Sequence, residues 1–335
     1  MSAPRAASSR PRSSWKSALV RGLLGIVAFA AVMVWLLPDW RALAQGPRLR
    51  PAGFGLSLLG TALASWVTAR RWQIMLEDMG GDRLPFFEYL KVLVTTRFLG
   101  QFVPTLAMDL VGRGVGLQRA GSGRSLGHAA TQVVVERLLD LLLPLGLAVW
   151  LLSRPAEASA HGLYVPLLWI AVCAALFVPL IRPGATVALA IYAWARDRAR
   201  GLGRGGAAAS AEDDLPRDEV ALAPATAARV AALSVARLAT VTLQFYGAAF
   251  IVGLAPSPGQ MLGATGVAAL TGLVGLTPGG LGVIEWGWAG AFRHLGVDGV
   301  DVARFVLCQR LCVITNFGLL SLLASARRSN ATTTP

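Results

Sequence analysis

Apolar runs separated by short basic segments set the pattern of this chain. Gly22–Leu37 and Leu163–Ile181 each come close to the ~20 residues that a membrane-spanning helix needs. The same pattern predicts full crossings near 18–37, 52–69, 126–152, 163–181, 230–254 and 302–325. Two further apolar segments, 86–112 and 260–297, are broken by Pro104 and Pro278. In Thr277-Pro278-Gly279-Gly280-Leu281-Gly282 the proline removes a backbone donor and the glycines admit unusual dihedrals, so continuous helix is disfavoured. Broken backbone at membrane depth has to be buried in protein or line a wet cavity. Each segment is therefore predicted to be a re-entrant hairpin. The expected fold is all-α and integral to the membrane, with about six full transmembrane helices plus two re-entrant helical hairpins. The alternative is eight to ten conventional spans, with each hairpin replaced by two ordinary crossings.

Similar helices follow the two hairpins. Arg137, in Val135-Glu136-Arg137-Leu138, lies 33 residues after Pro104, and Arg310, in Cys308-Gln309-Arg310-Leu311, lies 32 residues after Pro278. Three crossings and one hairpin then make up each half, 17–162 and 163–326. The halves are expected to be inverted copies, an arrangement in which transport folds build a site between repeats.

Composition agrees with a membrane setting, since 55% of the residues are hydrophobic and mean hydropathy is +0.58. The net charge of +13 does not point to nucleic acid, because most basic residues sit in short loops beside apolar helices. Residues 1–21 carry five Lys or Arg, 70–91 four, 113–124 three, 182–229 seven and 327–328 two, against four in the intervening loops (Arg41, Arg48, Arg50 and Arg154). This bias places both termini in the cytoplasm of a multi-pass cell-membrane protein. The first hairpin then enters from the cytoplasm and the second from outside. Residues 1–16 read as a disordered tail, 17–326 as one transmembrane domain with a polar cytoplasmic loop at 196–222, and 327–335 as a second tail. Thr186–Ala195 reads as a short interfacial helix. Ala42-Leu43-Ala44 resembles a signal-peptide cleavage site, but Asp39 and Arg41 intervene and the apolar run is long, so the first segment is read as a span.

Charged residues inside the apolar segments are the candidate chemistry. Glu136, Arg137 and Asp140 share one arc of an otherwise apolar helix. A charge at the centre of a membrane helix costs about 2.5–3.5 kcal/mol on insertion scales, so three together need partners or a purpose. One reading pairs Arg137 with Asp140 or Glu136 for packing alone. Arg237, Thr240 and Gln244 form a second polar stripe, and Gln309, Arg310 and Asn316 a third. Against Asp109, Glu136, Asp140 and Glu285 stand Arg97, Arg113, Arg137, Arg237 and Arg310, which leaves a slightly positive interior. A phosphate suits such a site because guanidinium groups donate to it in pairs. Half-helix N-termini after Pro104 and Gly282 would add partial positive charge. The candidate substrate-binding set is Arg97, Asp109, Arg113, Glu136, Arg137, Asp140, Arg237, Gly279, Gly280, Gly282, Glu285 and Arg310.

Other chemistry has little support, and no enzyme activity, cofactor or metal is expected. The chain lacks a Gly-Lys-Ser/Thr loop, and Gly112-Arg113-Gly114-Val115-Gly116 only weakly echoes a dinucleotide fingerprint without its strand and helix. His128, His161 and His294 are scattered. Cys173, Cys308 and Cys312 read as small apolar residues, with neither a disulfide framework nor the four ligands zinc prefers.

These residues resemble the lysylphosphatidylglycerol synthase transmembrane-region family, whose members include flippase-like multi-pass proteins. The resemblance covers roughly 15–326 and rests on Ala69-Arg70-Arg71-Trp72, on Phe102-Val103-Pro104 followed by Asp109 and Arg113, on Val135-Glu136-Arg137-Leu138-Leu139-Asp140, and on Pro278-Gly279-Gly280-Leu281-Gly282-Val283-Ile284-Glu285. It implies movement of phospholipids between leaflets, or handling of lipid-linked precursors, and it implies the re-entrant hairpins. The chain departs from the family at Thr105-Leu106-Ala107-Met108, where glycines usually follow the first hairpin proline. It is also expected to lack the soluble aminoacyl-transfer domain of full synthases. The leading expectation is translocation of a phospholipid or lipid-linked anionic precursor. The alternative is a non-transporting membrane partner of a lipid- or glycan-modifying enzyme. Expected partners are membrane lipids with anionic or phosphate-bearing headgroups, such a modifying enzyme, and a second copy of the chain.

Overall fold

The computed structural model describes residues 14–37, 40–45, 49–104, 108–122, 126–153, 164–173, 175–176, 179, 222–273 and 277–329. The N-terminal tail to residue 13, Thr105-Leu106-Ala107, the expected interfacial helix at 186–195, nearly all of the polar loop at 196–222, and 330–335 lie outside them. Helices α1 to α10 span Ser14–Leu36, Ala52–Asp78, Phe86–Leu99, Arg113–Arg119, Leu126–Leu152, Tyr164–Cys173, Pro224–Ile251, Pro258–Leu273, Val283–His294 and Gly299–Ser329. Among the described residues there is no β-strand, so the expected all-α class is what is found. Three helices are by themselves long and apolar enough to cross a membrane: α2, α7 and the Gly299–Ala326 part of α10.

Shorter apolar helical stretches at Val20–Leu36, Asp140–Leu152 and Tyr164–Cys173 fall within three of the other predicted crossings. In each broken segment helical arms flank the break. These arms are short: α3 has 14 residues, α8 has 16 and α9 has 12. At 1.5 Å per residue these are about 18–24 Å long, less than the ~30 Å apolar thickness of a bilayer.

Small residues decide which helices touch. α2 and α7 run antiparallel in close contact, and a Cβ on Gly60 would lie 2.4 Å from the Gln244 backbone nitrogen. Reciprocally, a Cβ on Gly247 would lie 2.4 Å from the Ser57 nitrogen. This is the close backbone approach that glycine permits between membrane helices. Gly263 and Gly266 seat α8 against α5 in the same way. The packing is reciprocal, for α3 of the first hairpin lies against α10 while α8 of the second lies against α5. Asn316 on α10 donates to Ser57 and Thr61 of α2 at 3.1 and 2.9 Å, which satisfies a fully buried amide nitrogen. An aromatic cluster of Trp288, Phe245, Phe292 and Phe305, with centroids 4.7–6.0 Å apart, fills the junction of α7, α9 and α10.

The hairpin tips meet. Pro104 and Pro278 form an isolated antiparallel bridge, and the Gly279 amide donates to the Gly100 carbonyl at 2.8 Å. Gly279 and Gly282 have φ of +58° and +85°, and a Cβ on Gly282 would lie 2.4 Å from Ala28 Cβ on α1. No other residue type turns here without strain.

Replacing Gly60 or Gly247 by Leu is expected to lower the stability of the detergent-purified protein by about 1–3 kcal/mol or more, whereas Gly290→Ala, where nothing lies within 4 Å, leaves it unchanged or slightly raised. Thermal unfolding monitored by size-exclusion recovery distinguishes these. Equal effects of the three substitutions would contradict the account of the α2–α7 contact.

Candidate functional site

The sequence reading counted Arg71 with the cytoplasmic loops, and Arg113 both there and in the interior set; both side chains are buried. α2 continues beyond residue 69 to Asp78, and Arg71 lies on its inner face with no exposed side-chain surface. Its Nη1 donates to Asp140 Oδ1 at 2.8 Å and to Ser234 Oγ at 3.0 Å, while Nη2 donates to Asp140 Oδ2 at 3.3 Å. This fork-to-carboxylate pairing ties α2 to α5 and α7. Helical periodicity carried the signal that sequence reading missed, because Arg71 follows the buried Ala64 and Thr68 by seven and three residues and so shares their face. Nineteen basic residues remain on the predicted cytoplasmic segments against four on the others, so the charge bias keeps its direction.

Arg113 opens α4 after a π-helical turn at Met108–Gly112, the turn that brings Asp109 inward. Its Nη1 donates to Glu136 Oε2 at 2.7 Å, its Nη2 lies 3.3 Å from Asp109 Oδ1, and its guanidinium sits 5.2 Å above the ring centre of Trp72. Arg137 donates to Asp109 of the first hairpin, so its partner is neither Asp140 nor Glu136 of its own helix. Arg97 on α3 lies 3.7 Å from Asp109, and Arg237 on α7 lies 3.2 Å from Asp140. Five arginines and three carboxylates thus form one connected network over α2, α3, α4, α5 and α7.

A smaller pair sits at the other hairpin. Arg310 donates from Nε to Glu285 Oε1 at 2.8 Å and from Nη1 to the Gly279 carbonyl at 2.9 Å and Gln101 Oε1 at 3.3 Å. The second oxygen of Glu285 accepts from the Gly282 amide at 2.7 Å. The N-terminus of α9 is therefore capped by its own glutamate, whose charge offsets the partial positive charge expected there. A parallel with the first hairpin emerges: in each, an acid on the return arm binds an arginine of the next long helix, Asp109 to Arg137 and Glu285 to Arg310.

Between these groups lies a cavity of about 230 Å³. Arg97, Arg137, Arg237, Arg310, Asp140 and Gly279 line it, with Gln101, Gln244, Gln309, Ser65, Thr68 and Thr265 and an apolar wall that includes Phe245, Trp288 and Phe317. Exposure separates two roles. The side chains of Arg71 and Arg113 are 0% and 1% exposed, whereas Arg97, Arg137, Arg237 and Arg310 keep 22%, 24%, 26% and 13%. The first pair ties helices together; the other four face the cavity. Of the predicted set, Asp109, Arg113, Glu136 and Glu285 stand behind the lining and fix it, and Gly280 and Gly282 shape the turn beneath it.

A family model described as "Lysylphosphatidylglycerol synthase TM region" matches residues 22–320. The chain belongs to this family. The family description and the long apolar helices make it a membrane protein. No curated protein matches the chain.

Arg71→Met leaves Asp140 with Arg237 as its remaining arginine partner, and removal of one partner of a buried pair costs about 3–5 kcal/mol. Arg237→Gln, at a side chain still 26% exposed, is expected to cost distinctly less. The double variant Arg71→Met/Asp140→Leu should recover part of the loss. Unfolding midpoints of the four proteins in detergent provide the check, and equal destabilisation by the two single substitutions would contradict the division of roles.

Proposed function

We propose that the chain is a lipid translocator that passes the anionic headgroup of a phospholipid, or of a lipid-linked precursor, through the arginine-lined cavity while the acyl chains stay in the bilayer. The observation that carries this reading is the cavity itself, where four partly exposed arginines from four helices converge between two broken helices. Ionisable side chains at membrane depth that face a cavity mark a pathway more often than a packing device. The name of the family adds a link to lipid chemistry.

In this reading the two hairpins are re-entrant and the halves 17–162 and 163–326 are inverted repeats. Short hairpin arms, reciprocal packing of α3 on α10 and α8 on α5, the antiparallel α2–α7 pair and the meeting of Pro104 with Pro278 all support it. Six crossings and the charge bias then put both termini in the cytoplasm and the protein in the cell membrane. The role assigned is transport without catalysis. Self-association, or association with a lipid-modifying enzyme, is compatible with it.

A second reading, a non-transporting partner whose charges serve packing, draws on the ion pairing of Arg113 and Arg310. Leaflet exchange separates the two. Liposomes containing the purified protein are expected to exchange labelled anionic phospholipid. Arg137→Gln, or the charge-balanced Arg310→Gln/Glu285→Gln, should slow the exchange by about tenfold or more, the factor that 1.4 kcal/mol corresponds to. Undiminished exchange in both folded variants would overturn the role of the arginines, and no exchange by the unaltered protein would favour the second reading.

A further inference from the structure

The charges around the cavity do not balance. Arg71, Arg97, Arg113, Arg137 and Arg237 surround Asp109, Glu136 and Asp140, an excess of two positive charges among the described residues. Arg310 and Glu285 add a neutral pair. The excess is localised on the cavity wall. Arg71 and Arg113, fully enclosed, hold Asp140 and Glu136 at 2.8 and 2.7 Å. Arg97 has Asp109 as its nearest carboxylate at 3.7 Å, and that carboxylate already serves Arg113 and Arg137. Arg237 shares Asp140 with Arg71.

A second, independent observation lies in the cavity wall. Gln309, 3% exposed, lines it, and its buried Nε2 has no hydrogen-bond partner among the described residues. A buried amide donor without a partner is costly. An acceptor entering the cavity would satisfy it.

On the translocation reading given above, we propose that the cavity is built for a phosphate monoester carrying two negative charges, in preference to a phosphodiester carrying one. A monoester has a second pKa of about 6, so at pH 8 it is a dianion with three terminal oxygens. Two charges cancel the excess of two. Three acceptors match Arg97, Arg237 and the Gln309 amide, each with donor capacity its present contacts leave unused. A diester supplies two free oxygens and leaves one of the two excess positive charges unbalanced. The same chemistry is offered by a lipid ending in phosphate and by a soluble phosphate ester.

Equilibrium binding to the purified full chain at pH 8 separates these ligands, with short-chain phosphatidic acid, phosphatidylglycerol, phosphatidylcholine and glycerol 3-phosphate as probes. Phosphatidic acid is expected to bind about tenfold or more tightly than phosphatidylglycerol, the scale of one charge-assisted hydrogen bond. Arg97→Gln and Arg237→Gln should bring that ratio close to one, and Gln309→Leu should lower it, while Arg119→Gln, outside the cavity, leaves it unchanged. Equal affinity for the two anionic lipids would overturn the proposal and leave a less selective lipid site. Glycerol 3-phosphate competing as strongly as phosphatidic acid would uphold the dianion chemistry and assign it to a soluble ligand. Failure of every probe to bind, from protein that still exchanges phospholipid between leaflets, would overturn the proposal alone; failure of both binding and exchange would overturn translocation as well.

Discussion

A charged group buried away from water must find counter-charge, and in a membrane bundle the cost of failing is several kcal/mol. This chain places Arg71, Arg113, Asp109 and Glu136 at 3% exposure or less. Meeting their needs fixes the arrangement of helices. Asp140 of α5 is held by Arg71 of α2 and Arg237 of α7, and Glu136 of α5 by Arg113 of α4. Asp109 gathers α3, α4 and α5 through three arginines. The small-residue contact of α2 with α7 and the aromatic cluster around Trp288 then fill the space that the charges leave.

Such a network is an inefficient way to stabilise a bundle, since well-packed apolar residues often do as well or better. Its form suits another purpose. The fully enclosed arginines act as struts, while the four that keep access to the cavity lie where the backbone is broken and the hairpin tips meet. A bundle that only needed packing would have no reason to keep an arginine-lined cavity there, nor a surplus of positive charge around it. The capping of α9 by Glu285 follows the same logic: the carboxylate serves the helix start with one oxygen and Arg310 with the other, so the arginine is held in place without being fully enclosed.

Much of this was legible in the sequence. The breaks at Pro104 and Pro278, the inward stripes of Glu136, Arg137 and Asp140, and the slight positive balance follow from spacing and residue type. Three features were not. The continuation of α2 to Asp78 hides behind Ala69-Arg70-Arg71, because two adjacent arginines after an apolar run look like the end of a span, and only the helical phase separates the outward Arg70 from the inward Arg71. The packing reading of Arg137 pairs it along its own helix, whereas the π-helical turn at Met108–Gly112 delivers Asp109 to it from another element. The third is the sorting of arginines into enclosed and cavity-facing, which depends on packing depth that residue type does not encode. Gln309 illustrates this last point, being assigned by its stripe to the interior but given meaning only by the cavity it borders.

The central claim is that the cavity between the two broken helices receives an anionic headgroup. An experimental density map of the protein in nanodiscs of anionic phospholipid tests it most directly. The account predicts phosphate density within hydrogen-bond reach of Arg97, Arg137 or Arg237, with acyl-chain density continuing sideways between helices. A closed interior without lipid density, in which each of these arginines is engaged only by Asp109 and Asp140, would contradict it.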